Sequence, residues 1–491
     1  MTRGINTAAI SLARKTIGGP GLWFFAVGGS APMTVLAGSV VATYAGTGVI
    51  AVPLSFLVLA VVLAFLTVGY VAMSGHVPHA AVFYALIARG LGGVCGVAGG
   101  ALALLSYNAI QISLFGLFGY TVAERLGAPW WLWAALAWSV IATLGVLRVV
   151  INARVLAWLL IAEVGVIALF DLGAFLHPAD GVISVVPLRP SQLVVNGLGG
   201  VLAFGIAAFV GYEGGPVFGE EARSRAAVSR ATFAALGFLG VFYAISSWAL
   251  AVAVGPGQIV AKARDPQANL PFSLLGETFG TAVAWLGTVL LVTSVFAAML
   301  SFHNVVARYL FGLGRERVLP ARLARTRTGT RGGTPVGGSL VQSAIAAVVV
   351  AAFALAGADP VTGLFTWFAS MAAVGVLVLL VATSAAARVF FRRGGGRNEG
   401  PWVRVGAPVL GLLGGVVVLA VTVANLDSLL SIPAGSARML IIPGVVAVTL
   451  VVGLVWGLLL RRHRREVFDQ ISRGRPDPLA VPEYRLADVD V

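Results

Sequence analysis

The sequence predicts an all-α polytopic membrane protein with twelve transmembrane helices, arranged as two inverted five-helix repeats plus two further helices. Three observations lead there. Charged residues make up 11% of the 491-residue chain, against about 25% in soluble domains. Hydrophobic residues make up 59% and lie in long unbroken runs, more than a water-soluble core of this size could hide, and unlike the short alternating segments of a β-barrel. Two of these runs, the first and the sixth, are interrupted mid-membrane by Gly and Pro clusters. That is the placement expected of paired discontinuous helices in an inverted repeat.

Taken in chain order, the candidate spans are 22–44, 49–73, 91–119, 128–148, 153–176, 194–217, 231–254, 281–303, 336–357, 361–387, 405–426 and 437–460. Each meets the requirement of about 20 mostly apolar residues. The predicted domains are a cytoplasmic N-terminal segment 1–21, a first repeat 22–176, a second repeat 194–392, two added helices 402–462 and a polar tail 463–491 read as disordered. The outer connection 255–280 is long enough for short helices. Segments 315–335 and 392–401, rich in Arg and Gly, read as inner loops.

Topology follows from the basic residues. With the N-terminus inside, twenty-eight of the 33 Lys and Arg residues lie in inner segments, and only Arg125, Arg189, Lys262, Arg264 and Arg438 lie outside. Positive residues mark cytoplasmic loops, so both termini are predicted to be cytoplasmic in a multi-pass protein of the cell membrane. The net charge of +14 then reflects topology and contact with anionic lipid rather than nucleic acid. No small-residue cleavage site follows the first run, which reads as a retained span. The one cysteine, Cys95, can form no internal disulfide.

The interruption in the first span is Gly28-Gly29-Ser30-Ala31-Pro32, and that in the sixth is Gly211-Tyr212-Glu213-Gly214-Gly215-Pro216. Irregular backbone at membrane depth is stable only where protein or a wet cavity satisfies it. Gly and Pro also serve close packing in membrane helices, but paired clusters at spans one and six point to a substrate site between them. Exposed N–H groups at a half-helix start suit a carboxylate, and freed carbonyls suit an ammonium, so a small zwitterion fits.

Two acids, Glu163 and Glu213, fall within spans, and Asp171 lies nearer the outer end of the fifth and reads as interfacial. Carboxylates in lipid are costly and mark proton or ion pathways. Glu163 and Glu213 are therefore the candidate proton-coupling groups. The competing readings are an interhelical hydrogen bond for Glu163 and a brace on the break for Glu213. Tyr107, Asn108 and Gln111 share part of one helix face, and Tyr107 and Asn108 are candidate substrate contacts. Thr293, Ser294 and Trp367 read as helix–helix contacts, and His303 and Asn304 as interfacial. The chain has no HExxH, no GxSxG, no Walker-A loop and no metal-spaced Cys/His cluster. The expectation is thus no enzyme, no cofactor, no metal and no ATP-driven transport.

These segments resemble the amino acid–polyamine–organocation (APC) permease family. FVGYEGGPVFGEEAR (209–223) is similar to its sixth-span signature, and SVFAAMLSFHNVVARYLFGLGRERVLP (294–320) to its eighth span and following loop. HAAVFYALIARGLGG (79–93) resembles the entry to its third span, and 28–33 the first-span break, where the common Gly-Ser-Gly-Ile/Val-Phe is replaced by Gly29-Ser30-Ala31-Pro32-Met33. The resemblance spans about 1–460. It implies the LeuT-like five-plus-five fold and secondary active transport of an amino acid by alternating access. It also implies that Gly29, Ser30 and Ala31 meet the substrate carboxylate, and that Phe209, Val210 and Gly211 meet the amino group and gate the site. The expected partners are a small-molecule amino acid or amine, a coupling proton or sodium ion, and membrane lipid. Alternatives are a polyamine or organocation transporter or exchanger of the same fold, or a nutrient sensor that binds without translocating.

Overall fold

The computed structural model describes residues 12, 15–147, 149–265, 269–327 and 333–474. Residues 1–11, 13 and 14 of the predicted N-terminal segment, and the tail beyond 474, lie outside the described residues. Among the described residues the chain is helical, without a β-strand beyond three isolated bridges.

Twelve helices follow the predicted spans. They are α1 (Gly19–Thr47), α2 (Val52–His76), α3 (Gly93–Leu126), α4 (Trp130–Gly145), α5 (Val149–Leu176), α6 (Leu198–Phe218), α7 (Arg225–Val254), α8 (Thr281–Arg315), α9 (Val336–Leu355), α10 (Pro360–Arg392), α11 (Trp402–Ala424) and α12 (Ala437–His463). Eleven are long and apolar enough to cross a membrane; α4, with 16 residues, falls short. At ~1.5 Å per residue α4 reaches only about 24 Å, less than the ~30 Å hydrocarbon core. The predicted fourth span, 128–148, is thus trimmed at both ends, by Pro129 before it and by the end of the helix at Gly145.

The opposite departure occurs in α8. The sequence places its inner end at 303, but the helix runs 35 residues to Arg315, about 52 Å at the standard rise. Arg308 therefore lies inside the helix and is 1% exposed, where an inner loop was expected. His303, expected at the interface, is also buried. A charge ends an apolar run in the sequence, yet a helix continues past it when a partner neutralises the charge.

Starts are marked by local chemistry. The Ser224 hydroxyl accepts from the Ala227 amide at the head of α7, and Asp359 accepts from the Val361 and Thr362 amides ahead of α10, satisfying donors a helix leaves open. The connection between α7 and α8 carries the short helices Ile259–Ala263 and Phe272–Phe279, as its length suggested.

The first half of α1 sits at the centre, against α5, α6, α7 and α8. Helix α12 lies on α3, and α11 on α2 and α10. Large apolar side chains such as Trp158, Val348, Leu413 and Val448 face outward, as lipid contact requires. Both described chain ends meet one face: the amides of Thr16 and Ile17 donate to the Glu221 carbonyl, and that of Gly474 to the Glu316 carboxylate. This is the terminal face, and the other is the far face. Residues 465–474 were expected to be solvated tail. Instead a short helix Arg465–Asp469 lays Phe468 and Ile471 over Gly93, and Ile471 and Ser472 are buried.

Candidate functional site

Helix α1 breaks at one residue. Ala31 takes a left-handed conformation (φ 47°, ψ 69°) between Ser30 and Pro32. Pro32 has no N–H to continue the ladder, so the helix restarts there with open donors. The Met33 amide, one of these, donates to the Glu163 carboxylate of α5. The Ser294 hydroxyl of α8 donates to the same oxygen at 2.7 Å, and Thr34 lies 3.4 Å from Ser294. The Ser30 carbonyl, released by the break, accepts from the Tyr243 hydroxyl of α7 at 3.1 Å. One turn back, the Phe25 carbonyl accepts from Ser301 at 2.9 Å.

Helix α6 breaks at Val210-Gly211. Gly211 adopts φ 118°, which glycine tolerates and other residues rarely do. It also touches the other break: a Cβ at Gly211 would stand 2.6 Å from the Gly29 carbonyl carbon and 2.8 Å from the Ser30 nitrogen. Beyond it Tyr212–Phe218 winds as a 3₁₀ turn containing Pro216. Glu213 folds back so that one oxygen accepts from the Gly211 amide at 2.9 Å, and the other accepts from the Tyr107 hydroxyl of α3 at 3.1 Å. From α2, Tyr70 donates to the Glu213 carbonyl at 2.8 Å, and Thr67 lies 3.0 Å from the Tyr212 hydroxyl. The Ser30 hydroxyl lies 3.4 Å from the Phe209 carbonyl.

Gly29, Ser30, Ala31, Phe209, Val210, Gly211, Glu213, Tyr107 and Glu163 are thus brought together, all buried. Asn108 stands apart: its amide donates to the Leu104 carbonyl of its own helix and touches neither break. Gln111 turns the other way, into a buried cluster with His303, Ser339 and Gln342. Ser294, read from the sequence as a helix contact, instead holds Glu163. Tyr243, Tyr70 and Ser301 were missed. Hydroxyls in apolar helices are too common to stand out until the fold points them at a freed carbonyl.

Electrostatically, Glu163 and Glu213 are both at most 1% exposed, and among the described residues neither pairs with a basic side chain. An uncompensated carboxylate in lipid is costly. The space beside the second break, lined by Phe209, Val210, Tyr212, Glu213 and Leu380, is about 10 Å³, which is room for one water. The site is closed in this conformation. On the terminal side Phe25 stacks on Phe218 at 4.3 Å, and the Arg308 guanidinium lies 4.4 Å over Phe218. Arg308 also makes a bidentate pair with Glu221 at 2.6 and 3.0 Å.

Two helices broken at mid-depth and touching at their breaks define a transporter of the discontinuous-helix type. The family comparison agrees: the amino acid permease family model matches residues 22–455, and the chain belongs to that family. Its structure is similar to crystal structures of a manganese transporter from Eremococcus coleocola. One, of a mutant form, has TM-score 0.55 and 14% identity, covering 97% of this chain and 98% of that one. Another, in complex with an aromatic bis-isothiourea-substituted compound, has TM-score 0.55 and 13% identity, covering 96% and 99%. At such identity the likeness shows the APC-type fold alone. No curated protein matches the chain.

Proposed function

We propose that this permease carries an amino acid across the cell membrane by alternating access, in symport with a proton, with the terminal face in the cytoplasm. The observation that carries the reading is the Glu163 carboxylate on the Met33 amide. It occupies the half-helix start just past Gly29, Ser30 and Ala31, which the family resemblance assigns to the substrate carboxylate. A proton on Glu163 weakens that acceptor and frees the amide for the substrate, so each ligand lowers the cost of binding the other. A hydrogen bond to a charged group contributes about 1.5–3 kcal/mol, a coupling of roughly 10- to 100-fold between proton and substrate. Glu213 extends the scheme to α6, because its carboxylate ties the second break to Tyr107 of α3.

Manganese, which the structural neighbours are named for, would need convergent donors. Among the described residues no three His, Cys, Asp or Glu side chains stand together, and the two acids at the breaks hold backbone amides instead. A second reading within the fold is an amine or polyamine substrate. It is favoured by the same two carboxylates, which have no basic partner and would receive a cation directly.

The test is uptake into proteoliposomes under an imposed pH gradient, after a thermal-shift screen of the purified protein against amino acids and diamines. Uptake driven by inward protons and abolished in Glu163→Gln, with binding retained, supports the proposal. Uptake that ignores pH and follows a sodium gradient overturns it. Competition by diamines and not by amino acids would favour the second reading.

A further inference from the structure

We propose that Asp171, buried on α5 beside a crevice on the far face, is the group that takes up the proton destined for Glu163. This rests on the proton-coupled reading above. A cavity lies between the far-face ends of α5 and α7 and the short helix Phe272–Phe279. It measures about 320 Å³, and Phe170, Gly173, Ala174, His177, Ala253 and Glu277 are among the residues that line it. Its α5 wall is Phe170, Gly173 and Ala174, with His177 just past the helix end; Asp171 sits next to Phe170, behind that wall. Asp171 itself is 7% exposed. One oxygen accepts from the Ser246 hydroxyl of α7 at 2.9 Å. The other is buried and has no hydrogen-bond partner among the described residues. A buried carboxylate with one oxygen unpaired is costly above all for its charge, and a proton there removes that charge.

The path inward is laid along the α5–α7 seam. Glu163 lies eight residues before Asp171 on α5, about 12 Å along the axis. On α7, Tyr243 lies three residues before Ser246, and its hydroxyl sits on the Ser30 carbonyl beside the Glu163 cluster. The groups around this route are few. α7 presents Ser246 and Tyr243, α8 presents Ser294, the short helix presents Glu277, and His177 follows the end of α5. The tyrosine that α1 carries, Tyr44, is committed to the Ser247 carbonyl at 2.9 Å. Among the described residues no lysine or arginine pairs with Asp171. The crevice thus delivers protons from the far face without opening the substrate site, whose own space has room for about one water. Asp171 touches neither break, so it acts as a relay, positioned by Ser246.

The experiment separates net proton-driven cycling from exchange. Proteoliposomes loaded with a pH dye are given a mixture of the twenty radiolabelled protein amino acids, first under an inward proton gradient and then as counterflow at equal pH. Asp171→Asn is expected to keep counterflow and to lose gradient-driven uptake and dye response by about tenfold or more, the size of one coupling term. Asp171→Glu is expected to recover the drive. Wild-type-like driven uptake in D171N overturns the proposal, as does equal loss of counterflow and drive. If D171N does not insert, Ser246→Ala carries the test: the same split supports the relay, and unchanged drive overturns it. A wild-type protein that shows no proton drive would instead sink the proton-coupled reading itself.

Discussion

Ser294 is the residue whose role changed most between sequence and structure. In the sequence it is one hydroxyl among many in an apolar helix. In the fold its hydroxyl and the Met33 amide converge on one Glu163 oxygen. Replacing Ser294 by Ala leaves that carboxylate with one donor fewer. A charge-assisted bond of this kind is worth about 1.5–3 kcal/mol, so S294A should bind its proton more readily. The optimum of proton-driven uptake should then move to higher pH, and a pH profile of transport checks it. Glu163 and Glu213 were legible as candidates because a carboxylate in lipid is rare. Their partners were not, because Met33, Tyr107 and Ser294 lie between 106 and 131 residues from the acids they bind, and only packing brings them near.

At the scale of elements, the breaks in α1 and α6 were readable from Gly and Pro, which cannot sustain an uninterrupted ladder at those points. That the breaks touch was not. Gly211 carries both requirements at once, a positive φ and a neighbour, Gly29, whose carbonyl carbon an added Cβ would meet at 2.6 Å. Gly211→Ala must therefore strain the backbone and push the two half-helices apart. Transport should be lost and the thermal unfolding temperature lowered, the backbone conformation alone costing about 1–3 kcal/mol; a melting curve in detergent and an uptake assay check both. The lengths of α4 and α8 were misjudged for a common reason. Hydropathy registers where charges begin, whereas a helix ends where its backbone finds other partners. Arg308 continues α8 because Glu221 receives it.

For the whole molecule, closure of the terminal face is concentrated in buried polar pairs. Arg308–Glu221 is fully buried, and removing one partner strands the other charge. Glu221→Ala should cost about 3–5 kcal/mol, read as a lowered melting temperature. The double replacement with Arg308→Met should recover part of it. Nearby, Glu316 gathers His79 at 3.1 Å, the Tyr84 hydroxyl at 2.5 Å and the amides of Ser472 and Gly474 at 2.9 and 2.7 Å. Burial pushes this carboxyl up, but His79, Tyr84 and the Gly474 amide outweigh it and hold it at about 2. A depressed carboxyl stabilises the folded state above its ordinary value near 4.5 and loses that contribution as pH falls toward about 2. The attachment of residues 465–474 should therefore be indifferent to pH across the neutral range and release only in acid. In Glu316→Gln the segment should exchange amide hydrogens faster already at neutral pH, which hydrogen exchange measured at residues 465–474 checks.

The amino-acid sequence by itself determined that this chain lives in a membrane, roughly where it crosses, where two crossings fail to stay helical and which acids lie at that depth. Those properties follow from composition and local backbone chemistry, which act within a few residues. Only the tertiary structure decided what the broken ends hold. A freed amide or carbonyl in lipid must find a partner, and whether that partner is Glu163, Tyr243 or the opposite break depends on which distant helices pack alongside.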